Sequence, residues 1–198
     1  MDIQYYFTPV SPWTYLGHER FCAIAKAAEG RVEVLPVDYG AIFPISGGLP
    51  LAKRAPQRQA YRLVELGRFS RSLNVPLTLQ PKYFPVDGTA ACKLIVAAQQ
   101  AGGAAAALTL AGAMMKAVWA EERNLADRQT LAALLAENSL AASLLAESEA
   151  AAVAAGYEAN TQRAITAGVF GAPSYVVAGE IFWGQDRLDF LERRLSKG

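Results

Sequence analysis

Apolar and polar residues alternate along positions 1–7, with Ile3, Tyr5 and Phe7 on one face, and this period of two predicts a first strand. Thr8-Pro9-Val10 reads as a loop. From Pro12 the period lengthens to that of a helix, with Ser11 as its N-cap and Pro12 in the first helical position. That helix is expected to run to about Glu29 and to close on Gly30 as a left-handed cap. Arg31 to Val37 alternates again and predicts a second strand. Phe43 to Pro56 carries Pro44, Gly47, Gly48, Pro50 and Pro56 and predicts a loop.

A long helical block follows. Tyr61, Leu66, Phe69 and Leu73 recur at near-helical spacing until Asn74-Val75-Pro76 interrupts them, and Pro81 to Gly88 reads as loop. Thr89–Gln100 and Ala104–Trp119 are Ala-rich helices separated at Gly102-Gly103. Asp127 caps a third helix through Leu135, Leu140–Ala155 forms a fourth that Gly156 ends, and Glu158–Ala167 forms a last one. Phe170-Gly171-Ala172-Pro173 then leads into a strand, Ser174–Ala178. Gly179-Glu180 turns the chain and Ile181–Trp183 returns as its hairpin partner. Asp186 is expected to cap a final helix with Leu188, Leu191 and Leu195 on one face.

The order strand, helix, strand, helical insert, strand, strand, helix is α/β. It resembles the thioredoxin arrangement with an inserted all-helical domain. Residues 1–50 and 165–198 would form the discontinuous thioredoxin-like domain and residues 51–164 the insert.

Composition narrows the classes of function. The chain has 198 residues, 53% of them hydrophobic, enough to bury a core. Its 19 basic and 18 acidic residues give a net charge of +1, and no Lys/Arg block marks a nucleic-acid surface. No basic segment precedes an apolar run at the start, and Ala101–Met115 falls short of the roughly 20 residues a membrane helix needs. A cytoplasmic protein without membrane or nucleic-acid partners is the expectation. Cys22 and Cys92 lie far apart in helical patterns and read as reduced core thiols. No cluster of His, Cys and carboxylates has metal spacing, so no metal is expected, and no glycine-rich phosphate loop is present. His18, the one histidine, reads as a packing residue of the first helix.

The chemistry concentrates at Ser11-Pro12-Trp13-Thr14, where the first strand passes into the first helix. Thioredoxin-like redox proteins carry Cys-x-x-Cys at this junction. Here serine and threonine stand in the two cysteine places. A hydroxyl cannot exchange electrons with a disulfide, but it can donate a hydrogen bond to a sulfur anion that a ligand brings. The helix N-terminus favours the same negative charge.

Four stretches together resemble the 2-hydroxychromene-2-carboxylate isomerase family, which is close to kappa-class glutathione transferases and to bacterial disulfide oxidoreductases with a helical insert. They are Tyr6–Gly17 (YFTPVSPWTYLG), Ala117–Glu121 (AVWAE), Val169–Ser174 (VFGAPS) and Phe182–Leu188 (FWGQDRL). The resemblance covers essentially the whole chain. It implies a homodimeric isomerase that uses glutathione as cofactor and an aromatic small molecule as substrate. In such an enzyme the borrowed thiolate is a covalent catalyst that opens the pyran ring without redox change and yields a trans-o-hydroxybenzylidenepyruvate, as in the breakdown of naphthalene-like aromatics. Ser11 would activate the glutathione thiol. Pro173 would follow a cis peptide that frees the backbone of Ala172 to pair with the cysteinyl part. Gln185 and Asp186 would meet the γ-glutamyl end, Asp186 also capping its helix. Arg58 would meet the glycyl carboxylate, with Lys53 and Arg54 as open alternatives. Gly48 stands where many relatives carry an asparagine, so one side-chain contact is lost. Trp119, Tyr83, Phe84 and Trp183 could line a slot for an aromatic ring, though each also suits core packing. The rival readings are a kappa-type transferase at the same site, a non-catalytic binding module, and a thiol-disulfide oxidoreductase, against which the absence of cysteine at 11 and 14 argues directly.

Overall fold

Alternation in the first strand decides where every layer sits. In the computed structural model, which describes residues 1–196, β1 (Asp2–Phe7) sends Ile3, Tyr5 and Phe7 into one apolar cluster and Tyr6 into another. β2 (Arg31–Pro36) pairs with β1 in parallel, and β3 (Ser174–Val177) and β4 (Glu180–Trp183) extend the sheet antiparallel on the other side, in the order β2-β1-β3-β4. Val34, Tyr175 and Val177 face the first cluster, and Leu35 and Val176 the second.

The helices divide accordingly. α1 (Pro12–Ala27), α4 (Thr89–Trp119) and α8 (Leu188–Leu195) fill the first cluster through Phe21, Leu94, Leu188 and Leu191. α2 (Tyr39–Ser46) and α7 (Ala151–Thr166) cover the second through Tyr39, Ile42 and Ala164. α3 (Pro56–Leu73), α5 (Arg128–Glu137) and α6 (Leu144–Glu147) complete the helical stretch between β2 and β3. This is the thioredoxin-like α/β architecture with a large helical insertion that the order of elements predicts. By length and apolar composition Thr89–Trp119 could cross a membrane. Gly103 (φ 71°, ψ −169°) breaks it in two, and Leu94, Leu110, Met114 and Trp119 are buried inside the protein.

Five local expectations are corrected. Residues 43–56 are not all loop. Asp38 caps α2 by accepting from the Gly40 N–H at 2.7 Å, and left-handed Gly47 ends that helix after Pro44, while Leu51–Lys53 forms a 3₁₀ turn. The left-handed residue after α1 is Glu29 (φ 51°), not Gly30. Gly30 is small because a Cβ there would sit 2.7 Å from Ile3 Cδ1. Gly156 does not end a helix. It lies inside α7, where a Cβ would meet Val96 Cγ1 at 3.4 Å, an ordinary contact, and the break falls instead between α6 and α7. The hairpin turn is Ala178-Gly179, both at positive φ as a type I′ turn requires, with Val177 opposite Glu180. Asp186 does not cap the last helix: Gln185–Arg187 forms a 3₁₀ turn and α8 begins at Leu188 without a side-chain cap.

Candidate active site

Ser11 caps α1 as its sequence position predicts. Its N–H donates to the Thr8 carbonyl at 3.1 Å, and its Oγ accepts from the Thr14 N–H at 3.3 Å. A hydroxyl that accepts in the cap still has its own O–H to donate. The residue is 9% exposed, at the positive end of a 16-residue helix. Thr14, the second hydroxyl of the stretch, is completely buried and its Oγ1 has no partner.

The segment before β3 is clamped beside this helix start. Pairing of Tyr6 with Ser174 brings the beginning of β3 alongside the end of β1. The carbonyl of Gly171 accepts from the Tyr39 hydroxyl at 2.9 Å and from the Ser174 hydroxyl at 2.7 Å, and the Pro173 carbonyl accepts from the Gly184 N–H at 2.9 Å. The Ala172–Pro173 peptide is cis, as expected. Among the described residues the backbone of Ala172 meets no hydrogen-bonding partner.

A cleft of about 510 Å³ opens here, between α3 and the Trp183–Arg187 turn. Of the residues singled out in the sequence, Arg58, Ala172, Gln185 and Asp186 line it, and so do Arg54 and Trp183. Ser11, Pro173 and Lys53 are not in its wall; Ser11 lies at the start of the helix that contributes Trp13 to it, and Pro173 follows Ala172. Trp119 and Phe84 are not in the wall either. They pack on each other at 4.8 Å between ring centroids, Trp119 fully buried, so they serve the core behind the cleft.

Gln185 is the unusual group. It is 1% exposed, and neither its Oε1 nor its Nε2 has a partner. A buried amide without hydrogen bonds costs about 1–3 kcal/mol, so its place in a cleft wall points to a ligand that completes it. Asp186 pairs with Arg187 at 2.6 Å, both partly exposed. Arg54 donates to the Leu49 carbonyl at 2.8 Å.

Sequence reading missed Arg62, Tyr61, Phe69 and Gln57, all of which line the cleft from α3. The signal was present as arginines four residues apart at 54, 58 and 62, a spacing that puts Arg58 and Arg62 on one face of a helix. Burial, then the charge of Arg54, pushes the Arg62 guanidinium down to about 10, which leaves it cationic at neutral pH.

A larger groove of about 1250 Å³ runs between α1 and the second half of α4. Of the groups weighed from the sequence, it touches only His18 and Cys22. His18 is buried, with Nδ1 3.2 Å from the Tyr5 hydroxyl and Nε2 3.1 Å from the Leu108 carbonyl, which is the expected packing role. Burial pushes the Cys22 thiol up to about 12, so Cys22 is no ready nucleophile in the groove. Cys92 is buried and free, its thiol likewise pushed up to about 12.

Known proteins resemble this chain over its length. The 2-hydroxychromene-2-carboxylate isomerase of Sphingobium xenophagum is 28% identical over 195 residues, 98% of this chain and 97% of that protein. A solved 2-hydroxychromene-2-carboxylate isomerase superposes with a TM-score of 0.84 at 22% identity, covering 100% of this chain and 95% of the other. The cytosolic disulfide reductase DsbM of Pseudomonas aeruginosa superposes with a TM-score of 0.72 at 18% identity, over the whole of both chains. The sequence model of the DSBA-like thioredoxin domain matches residues 2–196, and the chain belongs to that family.

Proposed function

We propose that this protein is a glutathione-dependent isomerase that converts 2-hydroxychromene-2-carboxylate-type compounds to trans-o-hydroxybenzylidenepyruvates. The observation that carries the reading is the unpartnered buried amide of Gln185, in a cleft that also offers the free backbone of Ala172 and the cation of Arg58. A tripeptide with two peptide bonds, two carboxylates and an ammonium group matches that set of donors and acceptors. The name borne by relatives of this chain supports the reaction.

Glutathione, when bound, would supply a thiolate nucleophile that adds reversibly and leaves again, so that a bond can rotate without redox change. The protein's part is to hold the tripeptide and keep its sulfur anionic. Ala172 would pair with the cysteinyl backbone, Gln185 with the γ-glutamyl end and Arg58 with the glycyl carboxylate. Asp186 would receive the ammonium group by exchanging its pairing with Arg187, an exposed ion pair worth little by itself. Ser11 would donate its O–H to the sulfur. An ordinary thiol, with a pKa of about 8.5, is mostly protonated at neutral pH, and a charge-assisted hydrogen bond at a helix N-terminus shifts that balance. Hydroxyls at 11 and 14 cannot pass electrons to a disulfide, which separates this site from those of disulfide reductases of the same fold.

The test is a glutathione titration followed by thiolate absorbance near neutral pH, then isomerisation of a chromene carboxylate with and without glutathione. Isomerisation only with glutathione is the expected result. Turnover without it, or no binding, overturns the proposal. Conjugation of a chlorinated nitrobenzene without isomerisation would assign a kappa-type transferase instead.

A further inference from the structure

The charges in the cleft do not balance: among the described residues two arginines of its wall, Arg58 and Arg62, have no carboxylate partner, and Arg62 is the less exposed of the two. Glu65 is held by Arg68 at 2.7 Å and Asp186 by Arg187 at 2.6 Å. Arg54 is engaged by a backbone carbonyl. Among the described residues Arg62 has no hydrogen bond and no carboxylate partner. It is half-buried, with its guanidinium carbon 5.4 Å from the ring centroid of Phe84 and 5.8 Å from that of Trp119. Closeness to two rings partly offsets the cost of removing a cation from water, while the N–H donors of the guanidinium have no acceptor among the described residues. A half-buried cation with unused donors, in the wall of a cleft, suits an anionic ligand.

The neighbouring cation, Arg58, is one helical turn away and exposed. Two guanidiniums in different surroundings suit two different carboxylates. The exposed one suits the flexible end of a peptide. Arg62 suits an acid whose remaining bulk is flat and apolar, because the wall beyond it carries Phe69 against Trp13, edge to face at 5.9 Å. Arg62 and Phe69 are seven residues apart on α3, about 10 Å at about 1.5 Å per residue, which is long enough to house a two-ring acid.

We propose that Arg62 is the specificity-determining residue of the cleft, binding through its guanidinium the carboxylate of a flat aromatic acid whose rings lie along the Trp13–Phe69 wall. The acid's place as substrate rests on the isomerase reading; its binding does not.

The experiment is calorimetric titration of the full chain with 2-naphthoate and with its neutral analogue 2-naphthamide. Arg62→Met, Arg62→Lys and the charge control Lys26→Gln, at an exposed residue outside the cleft wall, are titrated alongside, and folding is checked by circular dichroism. The unchanged protein is expected to bind the acid at least about tenfold more tightly than the amide. Arg62→Met should lose that preference through the acid alone, with amide affinity kept within about twofold. Arg62→Lys should retain part of the preference, because a point charge lacks the planar fork. Lys26→Gln should match the unchanged protein. Equal affinity for acid and amide, no binding of either, or an undiminished preference in Arg62→Met overturns the assignment. Should Arg62→Met fail to fold, Arg62→Lys decides, and an undiminished preference there overturns it equally. Glutathione is titrated in parallel: failure to bind it sinks the isomerase reading and leaves Arg62 standing, whereas loss of acid discrimination alone sinks only Arg62.

Discussion

Gln185 lies directly on Gly17. A Cβ added to Gly17 would stand 2.7 Å from the Cβ of Gln185 and 3.2 Å from the Tyr175 hydroxyl. The absent side chain at 17 is therefore what lets the turn after β4 settle onto α1, with Gln185 between that helix and the cleft it lines. Gly17→Ala is expected to destabilise the protein by about 1–3 kcal/mol through overpacking and to weaken glutathione binding at the same time. Gln185→Met should behave oppositely on stability, since it removes two unpartnered buried atoms while keeping the volume, yet it should also weaken glutathione binding. Urea unfolding and calorimetric titration of both variants check this. A Gln185→Met protein that binds glutathione normally would show that the amide is not completed by this ligand.

Ser11 caps α1, and one pair of variants separates that role from the one proposed for it in the reaction. As a cap it contributes about 1 kcal/mol, and as a donor to sulfur it would act only when the cofactor is present. Ser11→Ala is expected to stay folded and lose about 1 kcal/mol of stability, and kcat is expected to fall roughly 100-fold, the scale of removing one preorganised donor. Ser11→Thr keeps a hydroxyl and should retain most turnover. Undiminished kcat in Ser11→Ala would remove Ser11 from the chemistry.

Much of this fold is written in local pattern. The alternation of β1, the Ser11-Pro12 helix start and the Leu188–Leu191–Leu195 face are readable because each follows from its own segment. Gly30 and Gly156 are not: Gly30 answers to Ile3, distant in sequence, and Gly156 lies within α7 without ending it. Read locally, both look like helix stops. The site divides in the same way. Arg58, Ala172, Gln185 and Asp186 were found by resemblance to a family, and they do line one cleft. Arg62 carries no motif, and its interest comes from rings at 84 and 119 that only the fold brings beneath it.

Gly48 offers a test of the side-chain contact that the family resemblance implies at this position. A Cβ there would lie 2.4 Å from Cδ1 of Phe43, whose ring packs on Tyr39 at 5.6 Å between centroids. Gly48→Asn is expected to cost about 1–3 kcal/mol and to leave glutathione affinity no better, because the ring of Phe43 must first move. Adding Phe43→Ala should cost less than the two single changes summed, since the clash disappears with the ring. Strict additivity in urea unfolding would mean that Phe43 is not what excludes a side chain at 48.

His18 makes stability depend on pH, and its partners fix the direction. The Leu108 carbonyl can only accept, so Nε2 carries the proton, and Nδ1 accepts from the Tyr5 hydroxyl. Burial, the largest influence, holds the imidazole below its ordinary range, while the charge of Glu19 and the Leu108 contact oppose this only in part. The unfolded chain therefore takes up this proton near pH 6.5, before the folded protein does. Between those two values the unfolded state binds more protons, so stability rises with pH. The contribution of neutral His18 is complete above about pH 6.5 and is lost as the pH falls from there toward the lower folded value. His18→Gln, which cannot titrate, is expected to show a shallower loss of stability between pH 7 and pH 5 in urea unfolding. If the two proteins lose stability in parallel over that range, His18 is not the group that takes up the proton.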